Sequence, residues 1–95
     1  MLKKINPNTV QGSGFTVHIP DVHEVRYEDA DGMYTIEIEG GNMGGNAFAD
    51  WLVYSRTLSK IGARDAEVIS LKKRSEILDR IGQCLSELGM RYEIV

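Results

Sequence analysis

The stretch HEVRYEDADGMYTIEIEG, His23 to Gly40, most constrains what this chain can fold into. Apolar and polar residues alternate on both sides of an Asp- and Gly-rich centre, the pattern of two half-buried strands joined by a tight loop. With Asp29 to Gly32 as the loop, Tyr27 faces Tyr34, Val25 faces Ile36, and Ile38 continues the same face. A slip of one residue would turn one strand's apolar set toward water, so the pattern tolerates a single register.

The segments around this hairpin are read from their own periods. Phe15, Val17 and Ile19 alternate with Thr16 and His18, which predicts a strand stopped by Pro20. INPNTVQGSG is rich in turn residues and reads as a lead-in with a short edge strand at Thr9 to Gln11. Beyond the hairpin, Asn46 is placed to cap a helix reaching Ile61. Phe48, Trp51, Leu52, Leu58 and Ile61 recur on it at helical spacing, and Gly62 stands where a left-handed C-cap belongs. ARDAEVIS links onward, with Val68 and Ile69 extended. Ser70 caps a second helix, whose stripe of Leu71, Ile77, Leu78, Ile81, Cys84, Leu85 and Leu88 ends at Gly89. MRYEIV reads as a final strand with Tyr92 and Ile94 on one side.

The expected fold is therefore α+β, an antiparallel sheet of about four strands in β-β-β-α-α-β order. Two helices, about Asn46 to Ile61 and Ser70 to Leu88, would cover the face bearing Tyr34, Ile36 and Ile38. The other face would be polar and solvated. At 95 residues the chain, residues 1–95, makes one domain with a single core.

Charge and cysteine usage narrow the partners. A net charge of −3 and a pI near 5.3 are those of no basic nucleic-acid-binding domain. Cys84 is the lone cysteine, so no internal disulfide forms and a reducing compartment is expected. MLKKINPNTV has two lysines with no apolar run behind them, unlike a signal peptide. No window approaches the roughly 20 apolar residues of a membrane span, so the expectation is a soluble, cytoplasmic protein with no membrane partner.

Motifs that could carry chemistry are weak. EGGNMGGNAF, Glu39 to Phe48, stands between a strand and a predicted helix, as a phosphate loop would. It has neither a G-K-[ST] nor a G-x-G-x-x-G spacing, and Glu39 and Asp50 flank it with the wrong sign for an anion. Gly40 to Gly45 is therefore read as a joint. Asp29 and Asp31 lack the further oxygen ligands of a calcium loop and are what hairpin turns use. His18 and His23 have no partners at zinc-ligand spacing, and Cys84, between Ile81 and Leu85, reads as a buried small hydrophobe. No nucleophile, base and orienter fall together, so no catalytic, metal or cofactor residue is assigned and no enzyme is expected.

The polar strand face offers more. Glu24 faces Glu37, Arg26 faces Thr35, Glu28 lies nearby, and Glu39 extends the row toward the glycines. Like charges directly opposite destabilise a strand pair. One reading is a solvated face that resists edge-to-edge association. The other is an acidic patch kept for a basic partner. Trp51 and Tyr54 share the first predicted helix, Trp51 toward the core and Tyr54 at the margin of its stripe. Either, if exposed beside the glycine joint, would be an anchor for a partner.

The three-strand opening, the glycine-rich joint and the tail ISLKKRSEILDRIGQCLSELGMRYEIV together resemble a small α+β family of bacterial immunity proteins from polymorphic-toxin systems. That resemblance implies a non-enzymatic protein that binds and neutralises a cognate toxin by occlusion. It carries no toxin-binding residue over, so Glu24, Glu28, Glu37, Glu39, Trp51 and Tyr54 stand as partner-binding candidates on their own chemistry. Two alternatives remain: a small ligand-binding or regulatory module that closes its glycine joint over a metabolite, and a structural homodimer joined through a sheet edge.

Overall fold

The computed structural model describes residues 2–40, 50–62 and 69–95. In chain order they form β1 (Lys3–Asn6), β2 (Thr9–Gly12), β3 (Phe15–Asp21), β4 (Glu24–Asp29), β5 (Gly32–Gly40), β6 (Trp51–Lys60), α1 (Leu71–Glu87) and β7 (Tyr92–Ile94). The strands make one sheet in the order β1-β2-β3-β4-β5-β6-β7. Pairing is antiparallel from β1 to β6, and α1 then carries the chain back so that β7 lies parallel to β6. A parallel pair needs such a crossover, because no tight turn can join two strands running the same way.

The hairpin register is as its alternation requires. Tyr27 pairs with Tyr34, Val25 with Ile36, Arg26 with Thr35 and Glu24 with Glu37. α1 lies across the face bearing Val25, Tyr27, Tyr34, Ile36 and Ile38 and adds Ile77, Ile81, Cys84 and Leu85 to one buried cluster. Its start and stop follow the expected chemistry. The Ser70 hydroxyl accepts the Lys73 N–H at 3.1 Å, and Gly89 takes φ +77° just past the last turn, a conformation open to glycine at no steric cost.

The expected four-stranded antiparallel sheet under two helices is corrected to a seven-stranded mixed sheet under one helix among the described residues. The first helix is the error. Trp51 to Lys60 is β6, paired with β5 on one side and β7 on the other, while 46–49 lie outside the described residues. The cause is an irregularity in the ladder. Thr35 pairs with Ser59 and Glu37 with Tyr54, so the four residues Ser55 to Leu58 stand opposite Ile36 alone. This excursion inverts the strand's parity, and Val53 and Leu58 both reach the core although their spacing is odd. The inverted alternation reads as helical spacing. Gly62, expected to cap that helix, instead turns the chain after β6 with φ +84°.

Two smaller differences have similar causes. β1 was not expected, since every residue of KKIN is exposed and an edge strand need not alternate. β3 runs past Pro20 to Asp21, and its register with β4 shifts between His18 and Asp21, so the proline falls where the ladder is already broken. Val68 lies outside the described residues, and Ile69 is in no strand.

Close packing joins α1 to β7. A Cβ on Gly82 would stand 2.3 Å from the Tyr92 hydroxyl and 3.0 Å from its ring carbon Cζ. Gly82→Ala gains roughly 1 kcal/mol of helix propensity but overpacks this contact, at about 1–3 kcal/mol. The net expectation is a loss of about 1 kcal/mol, with faster hydrogen exchange at the Val95 amide bonded to Val53. Stabilisation with unchanged exchange would show that Tyr92 does not hold β7 to the helix.

Candidate acidic face

The sheet face opposite α1 is polar because alternate residues of every paired strand must point there. Register places Glu24 on β4, Glu37 and Glu39 on β5, and Leu52 and Tyr54 on β6 along one corner of it. With Asp21 and His23 from the β3–β4 turn, these carboxylates wall an open hollow of about 570 Å³. The turn is held by the Asp21 carboxylate, which accepts the His23 N–H at 2.7 Å.

The acidic residues differ in what they touch. Glu24 Oε2 accepts from Arg26 Nε at 2.6 Å and from the Thr35 hydroxyl at 2.9 Å. Those two hydrogen bonds, Arg26 first, hold its carboxyl below the usual range. Arg26 therefore offsets the Glu24–Glu37 repulsion at the Glu24 side. Tyr54 donates its hydroxyl proton to Glu39 Oε2, and this bond pushes the phenol above its ordinary value. Glu37 stands between them, and its backbone N–H donates to Thr57 Oγ1 at 2.7 Å.

The β6 excursion shapes the other side of the corner. The Thr57 hydroxyl also donates to the Tyr54 carbonyl at 2.7 Å, and Arg74 from α1 donates to the Ser55 carbonyl at 2.6 Å. Ser55 N–H and Oγ both reach the Val95 carbonyl, at 3.0 and 2.7 Å. Pinned in this way, the excursion exposes Arg56 and forms a second hollow of about 470 Å³, which shares Glu37, Tyr54 and Thr57 with the first. Bulges of this kind re-aim side chains and recur at functional surfaces.

Of the six candidates, Glu24, Glu37, Glu39 and Tyr54 meet at this corner. Glu28 lies on the same face but pairs with Thr16 and Met33, four residues along β4 and about 13 Å from Glu24 at strand rise. Trp51 is on the opposite face. It pairs with Gly40, lies against the core cluster, and its ring sits where a Cβ on Gly40 would come within 2.3 Å. The expected helix would have set Trp51 and Tyr54 side by side, whereas a strand sends residues three apart to opposite faces. Asp21, His23, Arg56 and Thr57 were missed. The Pro20-Asp21 turn signal could have located the first two, while Arg56 and Thr57 become visible only once the excursion is known.

Other candidates resolve structurally. Cys84 is fully buried in the core, and burial pushes its thiol up to about 11. The His18 Nδ1 and the Thr9 hydroxyl share a hydrogen bond of 2.8 Å on the polar face. Asp29 and Asp31 do more than close the hairpin. Both carboxylates accept from Lys73 Nζ, at 2.5 and 2.6 Å, which latches α1 onto the β4–β5 loop. The glycine joint beyond Gly40 lies outside the described residues. No helix among them is long and apolar enough to cross a membrane. Comparison with known protein families, curated proteins and solved structures gives no match to this chain.

Proposed function

We propose that the chain is a non-enzymatic protein-binding domain that receives a basic partner on the sheet face opposite α1. One observation carries this reading: Asp21, Glu24, Glu37 and Glu39 converge on one open hollow beside the half-buried Tyr54. A wall of one charge sign raises the encounter rate with an oppositely charged protein and rejects acidic ones. Tyr54 supplies the rigid, amphipathic contact that interfaces favour, and Arg56 beside it adds a directional donor. The resemblance to immunity proteins of polymorphic-toxin systems makes the partner a cognate toxin, held and occluded in the cytoplasm of the producing cell. Glu28, away from the hollow, belongs to the rim of this surface, and Trp51 contributes through the core rather than by contact.

Identifying the product of the adjacent gene and testing it by co-expression and pull-down checks the pairing. With that partner, Glu37→Gln combined with Glu39→Gln is expected to slow association by roughly three- to tenfold at low salt, with less effect at high salt. Glu37 and Glu39 are chosen over Glu24, whose charge Arg26 already engages. Stopped-flow association at two ionic strengths reads the result. Equal rates for the double variant and the parent would remove the acidic hollow from the interface.

A further inference from the structure

The two edges of the sheet are defended differently. β1 carries Lys3 and Lys4 and a register irregularity before Asn6, devices that discourage another strand from pairing there. β7 is three residues long and carries one charge, Glu93, with no lysine and no irregularity, and Ile94 on it and Val95 just after it are 40% and 50% exposed. Its inward backbone groups are identified by their bonds to β6. Trp51 N–H donates to the Arg91 carbonyl at 3.1 Å, Val95 N–H to the Val53 carbonyl at 2.9 Å, and Ser55 N–H to the Val95 carbonyl at 3.0 Å. Backbone groups alternate sides along a strand, so the N–H and C=O of Tyr92 and Ile94 point away from β6. Among the described residues, no strand follows β7 in the sheet.

We propose that β7 is a strand-addition site whose occupant is an extended segment of the basic partner protein. This rests on the reading above, because the charge of the neighbouring face selects the occupant. Glu39 pairs with Leu52, and Leu52 with Glu93, so the acidic face continues to within about 10 Å of this edge at ordinary strand spacing. A strand added there alternates its side chains. Those on the helix side meet Tyr92 and Ile94 and are apolar, and those on the outer side run beside the acidic face and are lysine or arginine. Backbone bonds supply affinity and the alternation supplies specificity.

The probe is a capped Lys-Val-Lys-Val-Lys-Val peptide titrated into isotope-labelled protein at low salt and followed by NMR. Saturable shifts at Tyr92 to Val95 are expected, with slowed exchange of the Ile94 N–H. Ile94→Pro removes that outward N–H without breaking a bond to β6, and proline is tolerated at such edge positions. Ile94→Lys keeps the N–H and places a repelling charge on the edge. Each variant is expected to weaken peptide binding about tenfold or more while melting like the parent. Shifts confined to the acidic face, with both variants binding like the parent, overturn strand addition and leave the basic-partner reading intact. Absence of any saturable shift also overturns it, while the toxin association rates decide the basic-partner reading separately. A concentration-dependent dimer in sedimentation, lost in both variants, would assign the edge to a second copy and overturn the proposed occupant.

Discussion

Replacing Ile81 with alanine is expected to lower the free energy of unfolding by about 2–5 kcal/mol. Ile81 is 1% exposed and sits in the α1 stripe with Ile77, Cys84 and Leu85, all fully buried. Truncation loses the transfer free energy of three carbons and leaves a cavity between helix and sheet that close-packed neighbours fill only in part. Since domains of this size are stable by roughly 5–15 kcal/mol, the loss is a large share of the total. Leu71→Ala provides the control, because Leu71 begins the same helix but is 84% exposed and should change little. Urea unfolding of both variants is the measurement. If Ile81→Ala fell within the surface scatter of about 0.5 kcal/mol, α1 would not be the cover of the core.

How much of this was legible depended on whether each segment kept its period. The β4–β5 hairpin did, because apolar residues hold every second position on both strands and Asp-Gly chemistry marks the loop. α1 did as well from Ile77 to Leu85, with a serine cap and a terminal glycine, although Leu71, read as the start of its stripe, is exposed. β6 did not. Its ladder slips at Ser55 to Leu58, so Val53 and Leu58 share a face at a spacing no regular strand allows. Only the partner strand reveals that slip, and β5 alone gives no hint of it. β1 has no buried residue to announce it. The acidic corner was half legible for the same reason. Glu24 and Glu37 follow from hairpin register, whereas bringing Tyr54 to them and sending Trp51 away requires β6 to be a strand. The latch between α1 and the hairpin loop was hidden by composition, since Asp29 and Asp31 are ordinary turn residues until Lys73 is seen above them.

That latch makes Asp29 the charged side chain with the largest expected effect on stability. Its carboxylate is 5% exposed. Oδ2 accepts from Lys73 Nζ at 2.5 Å and from the Tyr27 hydroxyl at 2.7 Å, and Oδ1 accepts the Asp31 N–H at 2.8 Å. Arg80 donates to the same Tyr27 hydroxyl at 2.7 Å and lies over the Phe15 ring, so the carboxylate organises a network spanning β3, β4 and α1. Burial alone would raise the Asp29 carboxyl, but the bonds from Lys73, Tyr27 and the Asp31 backbone outweigh it and leave it below the usual range. Burial would lower the Lys73 ammonium in turn, and its bonds to Asp29 and Asp31 reverse that and raise it. Asp29→Asn preserves shape and removes the charge, at an expected cost of about 3 kcal/mol near neutral pH, the low end for breaking a buried pair because Asp31 still holds Lys73. The pH dependence follows from the signs. A carboxyl depressed in the folded state stabilises fully above its unfolded value of about 4, and that contribution is lost as pH falls through the folded value. Lys73, raised in the folded state, contributes fully below its unfolded value of about 10 and loses that contribution only in strong alkali. The difference between parent and Asp29→Asn should therefore be flat from about pH 5 to 9 and shrink in acid. Urea unfolding of both proteins across that range and down to about pH 2.5 measures it. A difference that stayed constant into acid would trace the loss to altered hydrogen bonding alone and remove the ion pair from the latch.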